Sequence, residues 1–473
     1  MVYWLVAIKI RRLLVKKKWL ALVCLLSLFL GAVSASADEL MDITRKSYPE
    51  AREINRPRSS LIMDGNTGDI IWQDNIDEVR DPASMSKLMT LYLLFEAMSQ
   101  GKLSEETVIK ATQTDQKIAG IYEISNNKIV AGVDYTISEL ITMTVVPSSN
   151  ATTVMIANYL SNNDPDAFLD QMNSKAKELG MTNTHWFNAS GAAAASFKGF
   201  YTPQRYDNNA ANQTTARDLA ILAYNFVKNY PGILNYTNKP VVTVKKGTPY
   251  EETFETYNYS VPGAKYGIEG VDGLKTGSSP KGAFNYIATV KRGNQRIISV
   301  IMGVGDWADQ DGEYYRHPFG NALIEKAYAD YDYKKLLTAG EQEINGRRYK
   351  LEKDFYGTVK KGTDPKLVVK DGILEVDNGL FTPTTLISDG MKVEEVGGAG
   401  LFDTKQNEKK QSNSSSSKSG LLLDHKLLLL VPIVVVLIII VLEVRRRQKR
   451  NQYVDPHDVT EDDLQKYSRR NRY

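Results

Sequence analysis

The chain has 473 residues, 24% of them charged, and a formal net charge of +3, which allows two folded domains and argues against a nucleic-acid binder. Its one cysteine, Cys24, excludes a disulfide, and four histidines scattered along the chain (His185, His317, His425 and His457) are too few for a His-based metal site or a clearly placed Ser-His-Asp triad. No metal and no cofactor is therefore expected.

At the start, Arg11, Arg12 and Lys16 to Lys18 precede an apolar run over 19–33, and Ala35-Ser36-Ala37 offers small residues for cleavage. That pattern predicts a secretory signal peptide over 1–37, with Cys24 removed along with it. Leu61-Ile62-Met63 and Ile70-Ile71-Trp72 flank the turn residues 64–68 and predict a hairpin. Asp81 then offers a helix cap, Pro82 suits a first helical position, and an apolar run over 88–95 continues as a helix that should be central and buried. Ser84 falls in the expected first turn with Lys87 three residues on, so hydroxyl and amine can meet on one face.

Ser-x-x-Lys also begins at Ser99, Ser125, Ser174, Ser278 and Ser415, but none of those copies opens an apolar helix. Helices are predicted over 137–146, 151–160, 167–179 and 216–227, with Ser148-Ser149-Asn150 on a loop opened by Pro147. Strands return late: 283–290 and 295–303 read as a hairpin, and Lys275-Thr276-Gly277-Ser278 lies on a strand just before it. A helical lobe thus interrupts an antiparallel sheet, an α/β (α+β) plan whose cleft could gather Ser84, Ser148 and Lys275. Ser-x-x-Lys, Ser-x-Asn and Lys-Thr-Gly in this order are the set a serine acyl-transferase site requires. His185 and His317 are read as structural, because no nucleophile elbow accompanies either.

Farther on, Ile344-Asn345-Gly346-Arg347 and Val369-Lys370-Asp371-Gly372-Ile373 are hairpin signals in a strand-rich stretch, 333–402. A serine-rich linker is expected over 403–426 and a membrane-spanning helix over 427–444. Arg445-Arg446-Arg447-Gln448-Lys449-Arg450 follows and should hold the tail, 445–473, in the cytoplasm. The expected location is the cell membrane, single-pass with the catalytic part outside, on a Gram-positive surface.

Pro82-Ala83-Ser84-Met85-Ser86-Lys87-Leu88-Met89-Thr90, Ser148-Ser149-Asn150, Thr215-Ala216-Arg217-Asp218-Leu219 and Val271-Asp272-Gly273-Leu274-Lys275-Thr276-Gly277 resemble the low-molecular-mass penicillin-binding D-alanyl-D-alanine carboxypeptidases. The resemblance runs from residue 38 to near 401. It implies a β-lactamase/transpeptidase-like catalytic domain over 38–332 followed by a small β-rich domain. As substrate it implies the peptidoglycan stem pentapeptide ending in D-Ala-D-Ala, with β-lactam antibiotics acylating the same serine.

Ser84 would be the nucleophile, Lys87 its base and Ser148 the proton donor to the departing amine. Asn150 would hold the donor peptide's amide, Lys275 would supply positive field, and Thr276 would bind the terminal carboxylate, with Gly277 and Ser278 beside it. The resemblance further places the oxyanion hole at the backbone N–H groups of Ser84 and Ser278. Two positions depart from the family: Ala151 stands where an acidic residue is common, and Ser279 followed by Pro280 where a threonine is common. The alternatives are a serine β-lactamase, against which a Glu-x-x-x-Asn between Ser148 and Lys275 is missing, and a non-catalytic wall-binding scaffold.

Overall fold

The structure is a computed structural model and describes residues 38–396. The expected signal peptide, linker, membrane helix and cytoplasmic tail lie outside the described residues. Among the described residues no helix is long and apolar enough to cross a membrane.

A five-stranded antiparallel sheet forms the frame, in the order Ile70–Asp74, Ser59–Asp64, Gln295–Val304, Ala283–Arg292, Val271–Ser279. The first pair closes the hairpin read at 61–72, and Gln295–Val304 inserts beside it through the register Ser60 opposite Ile301 and Ile62 opposite Ser299. The strand Val271–Ser279, which carries Lys275, is thereby left at an edge, paired on one side only with Ala283–Arg292.

One face of the sheet packs on the helices Glu39–Ser47 and Gly312–Asp330, burying Ile62, Tyr286, Ile301, Phe319 and Leu323. The other face packs on Lys87–Ser99 and Ala216–Asn229, where the helical lobe begins. Residues Lys87 to Phe95 are all buried, as expected for a helix apolar on nearly every side.

The lobe helices Ile137–Val145, Asn150–Leu160, Pro165–Leu179 and Ala216–Asn229 coincide with the predicted ones to within a turn, and Thr136, Ser149, Asp164 and Thr215 cap them. The start of the nucleophile helix differs from expectation. Residues Ala83–Ser86 form a 3-10 turn and the α-helix proper is Lys87–Ser99. Asp81 does not cap that helix: it accepts the Ala83 N–H at 2.8 Å, with Ala83 at φ 48°.

Gly312–Asp330 is a helix the sequence pattern conceals, because Pro318 and Gly320 interrupt its apolar periodicity. Gly320 is small because a Cβ there would stand 3.2 Å from the Tyr286 ring.

The strand-rich stretch begins at Tyr331, whose strand Tyr331–Leu337 pairs with Phe355–Lys360. Both predicted hairpin turns form, with Asn345 and Gly346 at φ 52° and 78° and Asp371 and Gly372 at φ 50° and 74°. Its own small core is Ile344, Tyr349, Leu351, Phe355, Leu374 and Val393. It docks on the sheet end through Thr358 Oγ1 to Thr67 Oγ1 at 2.9 Å and Asn378 Nδ2 donating to Asp69 Oδ2 at 3.0 Å.

Candidate active site

Ser84 stands on the 3-10 turn, Lys87 begins the helix it leads into, Ser148 and Asn150 enter from the lobe, and Lys275 to Ser278 come from the edge strand. The fold thus brings every predicted site residue to one cleft. Two glycines let this turn be packed from both sides. A Cβ on Gly277 would meet the Pro82 carbonyl at 2.4 Å, and one on Gly191, whose φ is +95°, would meet the Ala83 carbonyl at 1.9 Å. The missing side chain at Gly277 lets the edge strand come this close, and Gly277 also lines a cavity beside Ser84.

Lys87 is fully buried, and its Nζ has three neighbours: Asn150 Oδ1 at 2.8 Å, the Ser190 carbonyl at 2.8 Å and Ser84 Oγ at 2.9 Å. The amide oxygen and the carbonyl only accept, so a neutral amine spends its two hydrogens on them and turns its lone pair to the Ser84 hydroxyl. Burial, and then the charge of Lys275, hold the Lys87 pKa well below the ordinary lysine value, which favours that neutral form.

Asn150 is itself fixed, donating Nδ2 to the Ser125 carbonyl at 2.9 Å. Ser125, set aside as a nucleophile, is thereby part of the wall. Ser148 sits at φ 60°, a left-handed conformation strained for serine, between the Ser149 N–H on the Met143 carbonyl and the Asn150 N–H on the Ser125 carbonyl.

Lys275 is also buried, and Nζ donates to Ser148 Oγ at 2.9 Å and to the Thr276 carbonyl at 3.0 Å. Burial, and then Arg316, lower its pKa to about 7. Arg316, buried on the concealed helix, donates Nη1 to Ser278 Oγ at 2.9 Å. Reading the sequence missed Ser190, Arg316 and Glu313. The i, i+3 pair Glu313 and Arg316 could have marked one helix face, had the helix been recognised.

Two cavities meet at Ser84. One of about 30 Å³ is bounded by Ser148, Tyr257, Thr276, Ser278, Glu313 and Arg316, and a cleft of about 260 Å³ runs past Asn150, Gly191 and Ser279. His317 is buried, with Nδ1 3.0 Å from Ser260 Oγ, and lines neither of these two cavities.

Residues 45–306 match the model of a family described as D-alanyl-D-alanine carboxypeptidase, and residues 333–394 match one described as a domain of unknown function. The chain is 25% identical over 323 residues to the D-alanyl-D-alanine carboxypeptidase DacF of Bacillus subtilis, covering 66% of this chain and 75% of that one. To DacA of Escherichia coli K12 it is 26% identical over 341 residues, covering 70% and 76%.

Among solved structures, a peptidoglycan synthesis regulatory factor from Streptococcus pneumoniae superposes with a TM-score of 0.62 at 22% identity, covering 72% of this chain and 98% of that one. Penicillin-binding protein 5 from Haemophilus influenzae gives 0.56 at 22%, covering 71% and 96%, so both share the fold. With the family match spanning the sheet, the lobe and all three motifs, the chain belongs to the D-alanyl-D-alanine carboxypeptidase family.

Proposed function

We propose that the chain is a serine-type D-alanyl-D-alanine carboxypeptidase that removes the terminal D-alanine from peptidoglycan pentapeptides through an acyl-enzyme on Ser84. The observation that carries this is the lone pair of Lys87: two obligate acceptors take its hydrogens and leave Ser84 as the only one of the three neighbours that can donate.

In acylation Ser84 Oγ bonds to the carbonyl carbon as its proton passes to Lys87 Nζ, and the carbon–nitrogen bond to D-alanine breaks. The departing nitrogen takes the Ser148 proton, which Lys275 replaces across 2.9 Å. Transfer of the Lys87 proton to Lys275 resets the pair. Water then adds to the acyl carbon, giving a proton to Lys87, and the Ser84 oxygen leaves and takes that proton back.

The backbone N–H groups of Ser84 and Ser278 would hold the carbonyl oxygen, while Thr276 in the small cavity suits the substrate carboxylate and Asn150 in the larger cleft suits the donor amide. A β-lactam would acylate the same serine and leave slowly, since its leaving group stays tethered. Family membership and the assembled Ser84–Lys87 pair favour this reading over a β-lactamase or a non-catalytic scaffold.

The apolar segments at 19–33 and 427–442 with their basic flanks support export and a C-terminal membrane anchor, with the catalytic part outside a Gram-positive cell. The test is intact mass after benzylpenicillin: the parent should gain one penicilloyl group and Ser84→Ala none. Labelling of both proteins, or of neither, would overturn the assignment of Ser84.

A further inference from the structure

Ser279, one of the two positions at which this chain departs from the pattern it resembles, is tied to the nucleophile's own turn. Ser279 Oγ donates to Asp81 Oδ2 at 2.7 Å, and the other oxygen of Asp81 accepts the Ala83 N–H at 2.8 Å. Ser279 Oγ also accepts the Gly282 N–H at 2.8 Å, so its hydroxyl hydrogen is committed to Asp81. The Asp81 carbonyl accepts Asn285 Nδ2 at 3.0 Å, and Asn285 Oδ1 in turn accepts the Gly303 N–H at 2.8 Å.

One carboxylate thus spans the seam between the 3-10 turn and the edge strand. It does so three residues before Ser84, through the residue next to Ser278. A seam held by charge-assisted hydrogen bonds is stiffer than one held by contact alone.

We propose that Asp81 is a positioning residue which, through Ser279, sets the separation of the two backbone N–H groups of Ser84 and Ser278 that receive the carbonyl oxygen. The inference rests on the acyl-enzyme reading above. It assigns Ser279 to the protein's internal geometry, although its side chain borders the substrate cleft.

An oxyanion pair works only when both donors reach the developing charge, so loosening this clamp should slow acylation and weaken tetrahedral adducts by the same factor. A side chain that instead touched the substrate carboxylate would matter only to ligands carrying one.

The test uses the full chain as parent, Ser279→Ala, Ser279→Thr and Asp81→Asn. Three quantities are measured: the second-order rate of labelling by fluorescent penicillin, the affinity for a boronic acid without a carboxylate, and the melting temperature. Ser279→Ala is expected to lower both the rate and the boronic-acid affinity by about tenfold or more, with the melting temperature moving only a few degrees. Ser279→Thr, which keeps the hydroxyl, should restore both to within about threefold, and Asp81→Asn, which keeps one acceptor, should fall between.

Labelling of Ser279→Ala at the parent rate would overturn the clamp. Slow labelling with unchanged boronic-acid affinity would overturn it too, by placing Ser279 on the substrate carboxylate, as would a rate that Ser279→Thr fails to restore. A parent that takes no label at all would overturn the acyl-enzyme reading itself and the clamp with it.

Discussion

Substituting Gly277 by alanine tests how closely the edge strand must approach the nucleophile's turn. The added Cβ would lie 2.4 Å from the Pro82 carbonyl, 2.9 Å from Met85 N and 3.0 Å from Ser84 N, where ordinary contact begins at 3.4 Å. None of those atoms belongs to a flexible side chain, so the strand must retreat by roughly the difference, 3.4 − 2.4, or about 1 Å. A misplacement of about 1 Å at reacting groups costs on the order of a hundredfold in rate, and losing one oxyanion donor costs about 3 kcal/mol, again about two decades.

The strand keeps its long pairing with Ala283–Arg292, so the fold should survive, with an overpacking cost of about 1–3 kcal/mol. Stopped-flow labelling with fluorescent penicillin should therefore find Gly277→Ala about a hundredfold slower than the parent while its circular dichroism stays native. Gly191→Ala should be at least as slow, having a closer clash and a φ of +95°. Gly120→Ala, where a Cβ meets nothing nearer than 3.5 Å, should label like the parent. Labelling of a folded Gly277→Ala within about threefold of the parent would refute the close-approach argument.

Other expectations follow from the two lysines and from one buried carboxyl. Lys87→Ala removes the base and should slow labelling on the order of a thousandfold; a loss below about tenfold would assign the proton to another group. Lys275 is protonated below about 7 and neutral above it, so acylation should fall as pH rises through that value. In Lys275→Arg, which stays charged, that descending limb should vanish whatever the absolute rate, and a limb that persists would clear Lys275 of the role.

Burial lifts the Asp64 pKa from 3.8 to about 6, so the folded chain holds a proton that the unfolded chain releases between those values. Its ionised form costs stability above about 6, and that cost is relieved as pH falls toward 3.8. Relative to Asp64→Asn, which keeps an acceptor but does not titrate, the parent should therefore gain on the order of 1 kcal/mol between pH 7.5 and pH 5 in denaturant unfolding. A difference independent of pH would contradict this.

Much of this architecture is written in local patterns. Asn345-Gly346 and Asp371-Gly372 can turn with φ positive at both positions, and those turns form where the pattern puts them. The caps at Thr136, Ser149, Asp164 and Thr215 mark helix starts for the same local reason: a short oxygen-bearing side chain reaches an otherwise unpaired N–H. The apolar run after Lys87 betrays a buried helix because a surface helix would keep a polar face.

What stayed hidden depends on partners far along the chain. The Ser190 carbonyl that fixes Lys87 is 103 residues away and has no side-chain signature. Arg316 lies on a helix masked by Pro318, and the 3-10 geometry at Ala83–Ser86 goes with two glycine backbones pressed against it from distant segments. Asp81 reads locally as a helix cap, yet its second oxygen is claimed by Ser279, 198 residues later, which no local rule anticipates.

The most direct measurement is release of free D-alanine from a soluble pentapeptide ending in D-Ala-D-Ala by the parent chain, run beside Ser84→Ala. Release by the parent, and none by the variant, is the predicted result. Equal release by both, or a parent that forms the penicilloyl adduct yet frees no D-alanine from any such pentapeptide, would contradict a carboxypeptidase working through Ser84.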